Sequence, residues 1–165
     1  MNIIFLDIDG VLNYQKYFKE QKTSRVNYSK FLDYKNYLTK VLIQLLDIDQ
    51  NKLYLLKEII NNTNSKVVIS SSWRNLKIYP LIEDYLIKMG IPIIGTTPYI
   101  DSKRGLEIKT YLKENLVDNY IIIDDDIFPD FDEELLSHMI HTSFFDEGIN
   151  DDNVYEAIYR LKKFS

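Results

Sequence analysis

Residues 1–13, MNIIFLDIDGVLN, join a short apolar run to two aspartates that stand two positions apart. Ile3–Leu6 is apolar at every position, which predicts a β-strand that is covered on both faces. Asp7 and Asp9 follow that strand directly, and Gly10 allows a tight turn behind them. A buried strand that ends in two carboxylates indicates a site at the carboxyl end of that strand.

The rest of the chain alternates strands with helices. Lys66–Ile69 and Tyr120–Ile123 predict two more buried strands, and Ile91–Ile94 and Met139–Thr142 predict shorter, peripheral ones. Apolar residues at helical spacing fill the intervals. The four stripes are Leu53, Leu56, Ile59 and Ile60; Ile82, Tyr85, Leu86 and Met89; Ile108, Tyr111, Leu112 and Leu116; and Val154, Ala157, Ile158 and Leu161. This order predicts a single α/β domain over residues 1–165, with a parallel sheet and helices on both faces.

Residues 13–49 do not fit the alternation. This stretch is rich in Tyr, Lys and Asn. Its position after the first strand predicts an insertion that overhangs the strand ends as a flap or small cap.

Composition narrows the classes of function. The chain has 165 residues, no cysteine and a net charge of −5, so a general affinity for nucleic-acid duplexes or acidic membranes is not expected. Without cysteine there is no disulfide framework and no thiolate metal site, which fits a reducing cytoplasm. No run approaches the roughly 20 apolar residues of a membrane helix, and no positive region precedes the first apolar run. We therefore predict a cytoplasmic protein without a membrane partner.

Polar clusters follow all three long strands, at residues 7–9, 70–74 and 124–126. Because the carboxyl ends of parallel strands meet at one edge of the sheet, these clusters would bring at least four carboxylates together. Unit charges about 4 Å apart repel by roughly 4 kcal/mol at an effective dielectric near 20. A hard divalent cation with oxygen ligands relieves this repulsion, so the pattern predicts a Mg²⁺ site.

Each cluster alone has an ordinary structural explanation. Aspartates commonly cap turns, acidic runs are usually solvated loops, and serines before a tryptophan can cap a helix. Their joint placement, directly after buried strands, favours an active site over these explanations.

Four motifs resemble those of the haloacid dehalogenase (HAD) superfamily of phosphohydrolases. FLDIDGVLN is similar to the first motif, a strand followed by DxDG, and VVISSSWR, DSKRGLEIKTYL and YIIIDDD resemble the later motifs in the same order. More narrowly, SSSWR, RGLEI and IIDDD together resemble the small HAD domains of "Swiss Army knife" RNA repair proteins. The resemblance implies a Rossmann-like HAD fold and a Mg²⁺-dependent phosphomonoester hydrolase that works through an aspartyl-phosphate.

The resemblance also implies roles for the acidic residues. Asp7 would be the nucleophile, and Asp9 would protonate the leaving oxygen and then activate water. The implied metal ligands are Asp7, Asp9, Asp124 and Asp125, with Asp125 favoured over Asp124. The remaining polar candidates, expected to be structural, are Asp126, Asp130, His138 and His141.

A hydroxyl and a cation complete the implied phosphate site. The residues leave the choice between Ser70 and Ser71 open. The resemblance favours Ser71, because the family's Ser or Thr stands two positions before the place that Trp73 takes here. Either Lys103 or Arg104 supplies the cation, and Arg104 is favoured because it opens the RGLEI helix.

The predicted substrate is a nucleic-acid end or a nucleotide. The predicted substrate-binding residues are Gly10, Ser70, Ser72, Trp73 and Arg74. Trp73 either stacks on a base or packs in the core. A second wall would come from the insertion, through Tyr14, Lys16 and Tyr17. The alternatives are a small-metabolite phosphatase of the same type and a catalytically silent binding or regulatory module; the intact Asp7 and Asp9 argue against the silent module.

Overall fold

Strands and helices alternate along the part of the chain that the computed structural model describes, residues 1–28, 45 and 47–163. The strands are β1 (Asn2–Leu6), β2 (Lys66–Ile69), β3 (Ile93–Thr96), β4 (Asn119–Asp124) and β5 (Met139–His141). The helices are α1 (Gln15–Tyr28), α2 (Gln50–Thr63), a 3-10 helix (Ser72–Asn75), α3 (Tyr79–Lys88), α4 (Arg104–Glu114), α5 (Glu133–Ser137) and α6 (Asp151–Lys163).

The five strands form one parallel sheet in the order β3-β2-β1-β4-β5. The chain winds outward from β1 to β3 and then returns to place β4 on the other side of β1. The strand order therefore reverses between β1 and β4, which opens a crevice at the carboxyl ends of these two strands. The parallel sheet predicted from the sequence is confirmed. The third strand begins two residues later than expected, at Ile93 rather than Ile91.

Both faces of the sheet are buried. Ile4 and Leu6 of β1 point into a core that α2, α3 and α6 complete. Ile3 and Phe5 point to the opposite face, against residues of α4 and α5. All four of these β1 side chains have no exposed surface, which explains why the strand is apolar at every position. The predicted α/β class with helices on both faces is confirmed.

The start of α6 follows a local sequence signal. Asn150 and Asn153 exchange backbone-to-side-chain hydrogen bonds of 3.1 and 3.0 Å at the start of α6, which forms a capping box. The prediction that Leu116 belongs to a buried helical stripe is wrong. Helix α4 ends at Glu114, Asn115 is extended, and Leu116 is 92% exposed.

No helix in the described part of the chain is both long enough and apolar enough to cross a membrane.

The predicted insertion at residues 13–49 begins with α1. The N–H of Gln15 donates to the carbonyl of Phe144 at 2.8 Å, and the rings of Phe18 and Phe144 lie 5.8 Å apart. These contacts join the start of α1 to the loop after β5. Residues 29–44 and 46 lie outside the described residues, so the extent of the insertion and its role as a cap stay predictions.

We expect Phe5→Ala to lower the free energy of unfolding by about 3–5 kcal/mol, because the truncation leaves a cavity beneath α4. The Phe5 ring is fully buried and makes edge contacts with Tyr111 and Tyr120 at centroid distances of 5.5 and 5.8 Å. Urea denaturation measures the change. Tyr54→Ala is the control, since Tyr54 is 77% exposed and should change stability by about 0.5 kcal/mol or less. Equal losses in the two variants would contradict this packing.

Candidate active site

The carboxyl edge of the sheet brings three of the sequence motifs together. Leu6 of β1 lies opposite Ile69 of β2 and Ile123 of β4. The residues that directly follow these three are Asp7, Ser70 and Asp124. The Asp7 N–H donates to the Ile123 carbonyl at 3.0 Å, and the Ser70 N–H donates to the Leu6 carbonyl at 2.9 Å. The three motif residues therefore leave adjacent strands at the same level.

Three carboxyl groups form an acidic cluster at this edge, those of Asp7, Asp124 and Asp125. One oxygen from each lies within 4.8 Å of the other two. Burial raises the pKa of Asp7, although the Arg104 charge opposes the rise. Burial and the nearby Asp7 raise the pKa of Asp124 to about 8. Burial and the neighbouring Asp126 charge raise the pKa of Asp125 to about 6. Confinement of the three groups therefore disfavours their ionised forms.

Arg104, rather than Lys103, supplies the cation at the cluster. Its Nη1 lies 3.3 Å from Asp124 Oδ2 and 3.7 Å from Asp7 Oδ1, and its side chain is 8% exposed. Its guanidinium carbon lies 4.9 Å from the centre of the Phe128 ring. Lys103 immediately precedes α4, is exposed and is not among the residues that line the cavity over the cluster.

The acidic cluster fits a hard divalent cation. Asp124 Oδ2 is buried and has no hydrogen-bond partner within the described ranges, because its contact with Arg104 Nη1 is an ion pair without hydrogen-bond alignment. One arginine cannot balance three carboxylates. Mg²⁺ prefers oxygen ligands and is commonly bound by a few carboxylates together with waters and phosphate. Asp7, Asp124 and Asp125 are the residues that would hold such an ion.

Asp9 lies outside this cluster, and its predicted place among the metal ligands stays a prediction. Its Oδ2 accepts a hydrogen bond from Trp73 Nε1 at 2.8 Å, and its Oδ1 accepts one from Asn13 Nδ2 at 2.9 Å. Asn13 Oδ1 in turn accepts from the Gly10 N–H at 3.1 Å. Both carboxylate oxygens are thus engaged by side chains that fix the direction of the group, and Asp9 still lines the cavity of the site.

Trp73 lies in the core, which is the second of the two roles predicted for it. Its side chain belongs to the core cluster on one face of the sheet and is only 4% exposed. The ring therefore has no free face for a base. Trp73 contributes to the site through its indole N–H, which donates a hydrogen bond to Asp9.

The serines after β2 differ in their contacts. The Ser71 hydroxyl lies close enough to Asp7 to lower the pKa of that carboxyl, and it accepts the Trp73 N–H at 3.3 Å. Ser70 is equally buried, but its hydroxyl oxygen has no hydrogen-bond partner among residues 1–28, 45 and 47–163. Ser72 is exposed and lines the cavity. The geometry thus places Ser71, the favoured candidate, beside Asp7.

Arg74 is held within the protein rather than left available at the rim. Its guanidinium donates to Glu107 Oε2 at 2.6 Å, to the Ser71 carbonyl at 2.7 Å and to the Ser70 carbonyl. Its side chain is 5% exposed. The role of Arg74 is therefore to clamp the loop after β2, although its surface contributes to the cavity wall.

Glu107 is a site residue that the sequence analysis missed. It is 1% exposed, binds Arg74, accepts the Ile100 N–H at 3.0 Å and lies 3.8 Å from Arg104 Nε. It stands three residues after Arg104, the spacing at which helical side chains meet. That spacing in RGLEI was the available signal.

Gly10 takes a left-handed conformation, with φ at +69°. A Cβ added there would lie 2.1 Å from Asp125 Cγ. The glycine therefore serves two needs, a turn that other residues adopt with difficulty and the close approach of a carboxyl group of the acidic cluster.

A cavity of about 460 Å³ opens over the acidic cluster. Part of its wall is aromatic, from Tyr99, Phe128, Phe144 and Phe145. The predicted wall of Tyr14, Lys16 and Tyr17 is not part of its lining. Tyr14 instead faces Lys52, with the ammonium 5.2 Å from the ring centre, and the Tyr17 hydroxyl donates to the Ile48 carbonyl at 3.2 Å.

The remaining polar candidates make structural contacts. Asp130 Oδ2 accepts the Leu106 N–H at 3.0 Å, which ties the loop after β4 to the start of α4. His138 stacks on Tyr120 with ring centres 4.0 Å apart, and His141 Nε2 lies 2.9 Å from the Asp125 carbonyl oxygen. Asp126 lines the cavity, and its N–H donates to Asp124 Oδ1 at 3.0 Å.

We expect Mg²⁺ to raise the melting temperature, and to raise it more at about pH 8 than at about pH 6. Folding raises the pKa of the Asp124 carboxyl above its ordinary value. The folded state is therefore destabilised as the pH rises from the ordinary pKa to the folded pKa, which is about 8 at Asp124. Bound cation favours the ionised carboxylates, so its stabilising effect grows across that window. Thermal denaturation with Mg²⁺ or EDTA measures it. Asp124→Asn should shrink the increment; an increment that is larger at pH 6, or unaltered in the variant, would contradict this site.

The comparison with known families agrees with this geometry. A family model described as "HAD domain in Swiss Army Knife RNA repair proteins" matches residues 3–154, which include all four motifs. Neither the search of curated proteins nor that of solved structures gave a match. The resemblance seen in the motifs is confirmed. The chain belongs to the family of HAD domains found in Swiss Army Knife RNA repair proteins, which indicates a phosphohydrolase of HAD type.

Proposed function

We propose that this domain is a Mg²⁺-dependent phosphomonoester hydrolase that acts through an aspartyl-phosphate on Asp7. The observation that carries the proposal is the position of the Asp7 carboxylate, at the end of the central strand and between a buried arginine and two further carboxylates. Arg104 Nη1 is buried and lacks a hydrogen-bond partner in the described part of the chain. A phosphoryl oxygen would supply that partner.

In the first half of the reaction, an Asp7 oxygen attacks phosphorus and the ester oxygen leaves. The bond from phosphorus to the ester oxygen breaks as the bond to Asp7 forms, and Asp9 gives its proton to the departing oxygen. Arg104 stabilises the charge on the transferring group. A metal ion held by Asp7, Asp124 and Asp125 would supply further positive charge at this position.

In the second half, Asp9 accepts a proton from water as the water oxygen attacks phosphorus. Inorganic phosphate leaves, and the Asp7 carboxylate is restored. Asp9 must reach first the leaving oxygen and then the water from one position, which requires a fixed carboxyl group. The hydrogen bonds from Trp73 and Asn13 supply that fixation.

We further propose a nucleic-acid end or a nucleotide as the substrate and the cytoplasm as the location. The family description names RNA repair proteins, and aromatic rings line the cavity beside the phosphoryl site. The absence of cysteine fits a reducing compartment. A small-metabolite phosphatase would use the same catalytic residues but has no evident need for an aromatic wall.

We expect Asp7→Asn to abolish Mg²⁺-dependent phosphate release, because the amide is a poor nucleophile. The fold should survive. Burial raises the pKa of Asp7, so in the absence of metal a neutral side chain at this position should leave the free energy of unfolding equal or higher near pH 8. Phosphate release across nucleotides, phosphorylated oligonucleotides and sugar phosphates is the assay, with urea denaturation alongside. Full activity of the variant, or of wild type in excess EDTA, would refute the proposal.

We expect Trp73→Phe to lower kcat for an alkyl phosphate by about tenfold, the size of effect that loss of a hydrogen bond to a charged group produces. KM should stay within about twofold, since Trp73 does not line the cavity. Tyr79→Phe is the matched control, because it removes a 3.1 Å hydrogen bond to Glu83 from a buried aromatic residue of the same core. Equal losses of kcat in the two variants would show that Trp73 acts through packing alone.

A further inference from the structure

We infer that the cavity contains a subsite for one planar base, formed by Tyr99 and Phe145, so that the domain selects nucleoside monophosphates. The inference rests on the phosphoryl site of the proposed function and adds two residues to which no role has been assigned. Both line the cavity that contains Asp7 and Arg104.

Tyr99 and Phe145 are the aromatic cavity residues with the largest exposed fractions among those described, 60% and 80%. The other two aromatic walls are already engaged. Phe128 lies against the Arg104 guanidinium. Phe144 packs on Phe18 and makes an edge contact with Phe145 at a centroid distance of 5.6 Å, a contact that leaves Phe145 80% exposed. Large aromatic groups left in water beside a polar site indicate a ligand with a flat apolar face.

Tyr99 is presented by a turn with an unusual backbone. Asp101 and Ser102 both have positive φ, at +47° and +59°, although neither is glycine. The Lys103 N–H donates to the Ile100 carbonyl at 2.8 Å and closes the turn. The Tyr99 hydroxyl and the Ser102 hydroxyl lie 3.4 Å apart, and both residues line the cavity. This conformation is of a kind that clusters at functional sites, and it links Tyr99 directly to the start of α4 and so to Arg104.

Phe145 is presented by a loop with several backbone anchors. The Gly148 N–H donates to the Ser143 carbonyl at 3.0 Å, and the Ile149 N–H donates to the Val11 carbonyl at 3.0 Å. The Gln15 N–H donates to the carbonyl of Phe144, the residue before Phe145. The ring is therefore exposed on a braced loop, which limits the entropy that would be lost when a base stacks on it.

The charges of the cavity favour a ligand with a single phosphate. Within the described residues its lining includes two cations, Arg74 and Arg104, and both are paired with acidic side chains. Five acidic residues line it as well: Asp7, Asp9, Glu107, Asp125 and Asp126. A second phosphate would meet this negative surface without a cation of its own. The cavity volume of about 460 Å³ also lies within the range of small-molecule sites.

The test is calorimetric binding, with Mg²⁺, of a non-hydrolysable adenosine monophosphonate, in which carbon replaces the bridging oxygen. We expect Tyr99→Ala and Phe145→Ala each to raise its Kd by about five- to hundredfold, the range measured for loss of one stacked base. Kd for inorganic phosphate should be unchanged. Tyr99→Phe and Phe145→Tyr should bind as wild type, and so should Tyr54→Ala, which removes an exposed ring elsewhere.

Three results would overturn the subsite. The alanine variants could bind the analogue with the wild-type Kd, or their Kd for inorganic phosphate could rise by the same factor as that for the analogue. A glycerol phosphonate could also bind the wild type as tightly as the adenosine analogue does. An oligonucleotide that binds more tightly than the mononucleotide, with a steep dependence on salt, would also overturn it in favour of a longer interface. These outcomes do not depend on turnover, because the assay measures binding alone. Failure of the proposed function would show itself separately, as the absence of phosphate release that depends on Asp7.

Discussion

The confinement of three carboxyl groups at the ends of two adjacent strands is the constraint on which the rest of the site depends. Asp7 and Asp124 are buried next to one another, and Asp125 completes the cluster. In water the three groups would ionise freely, but here burial raises the pKa of each, and the Asp7 charge adds to the rise at Asp124 and Asp125. A fold accepts such an arrangement at a cost in stability, which a bound divalent cation would offset. Stability and function are therefore linked through the same three residues.

The supporting contacts around the cluster are made largely by the motif residues themselves. Glu107 links Arg104 to Arg74, and Arg74 binds the carbonyls of the loop after β2. Trp73 and Asn13 each donate to a different oxygen of Asp9 and so orient it. The strand register thus brings the reacting groups to one level, and this second layer of hydrogen bonds sets their directions. Because the two layers share residues, single substitutions in the motifs are expected to affect geometry and chemistry together.

Much of this arrangement could be predicted because it depends on local patterns. Apolar runs without alternation indicated strands covered on both faces, and the rule that parallel strands present their carboxyl ends at one edge placed Asp7, Ser71 and Asp124 together. Arg104 was favoured over Lys103 from its place at the start of a helix, and the geometry agrees with that choice. These inferences needed only neighbours in sequence or in the sheet order.

The features that could not be predicted depend on side-chain direction and on contacts between distant segments. Trp73 follows the phosphate-site serines, but nothing in the sequence shows that its ring turns into the core and its N–H towards Asp9, 64 positions earlier. Phe145 follows a three-residue strand and carries no motif, so its place in the cavity emerges only from the folded loop. Asp9 was placed among the metal ligands because the family resemblance implied it, and its hydrogen bonds to Trp73 and Asn13 could not be foreseen from the motif.

The central claim is that Asp7 carries the phosphoryl group during turnover. Rapid quenching of the reaction with an excess of substrate, followed by borohydride reduction and peptide mass spectrometry, tests it most directly, because reduction of an aspartyl-phosphate converts that aspartate into homoserine. The structure predicts homoserine at position 7 only when substrate and Mg²⁺ are both present. Homoserine at another aspartate, or steady phosphate release with none at position 7, would contradict the claim.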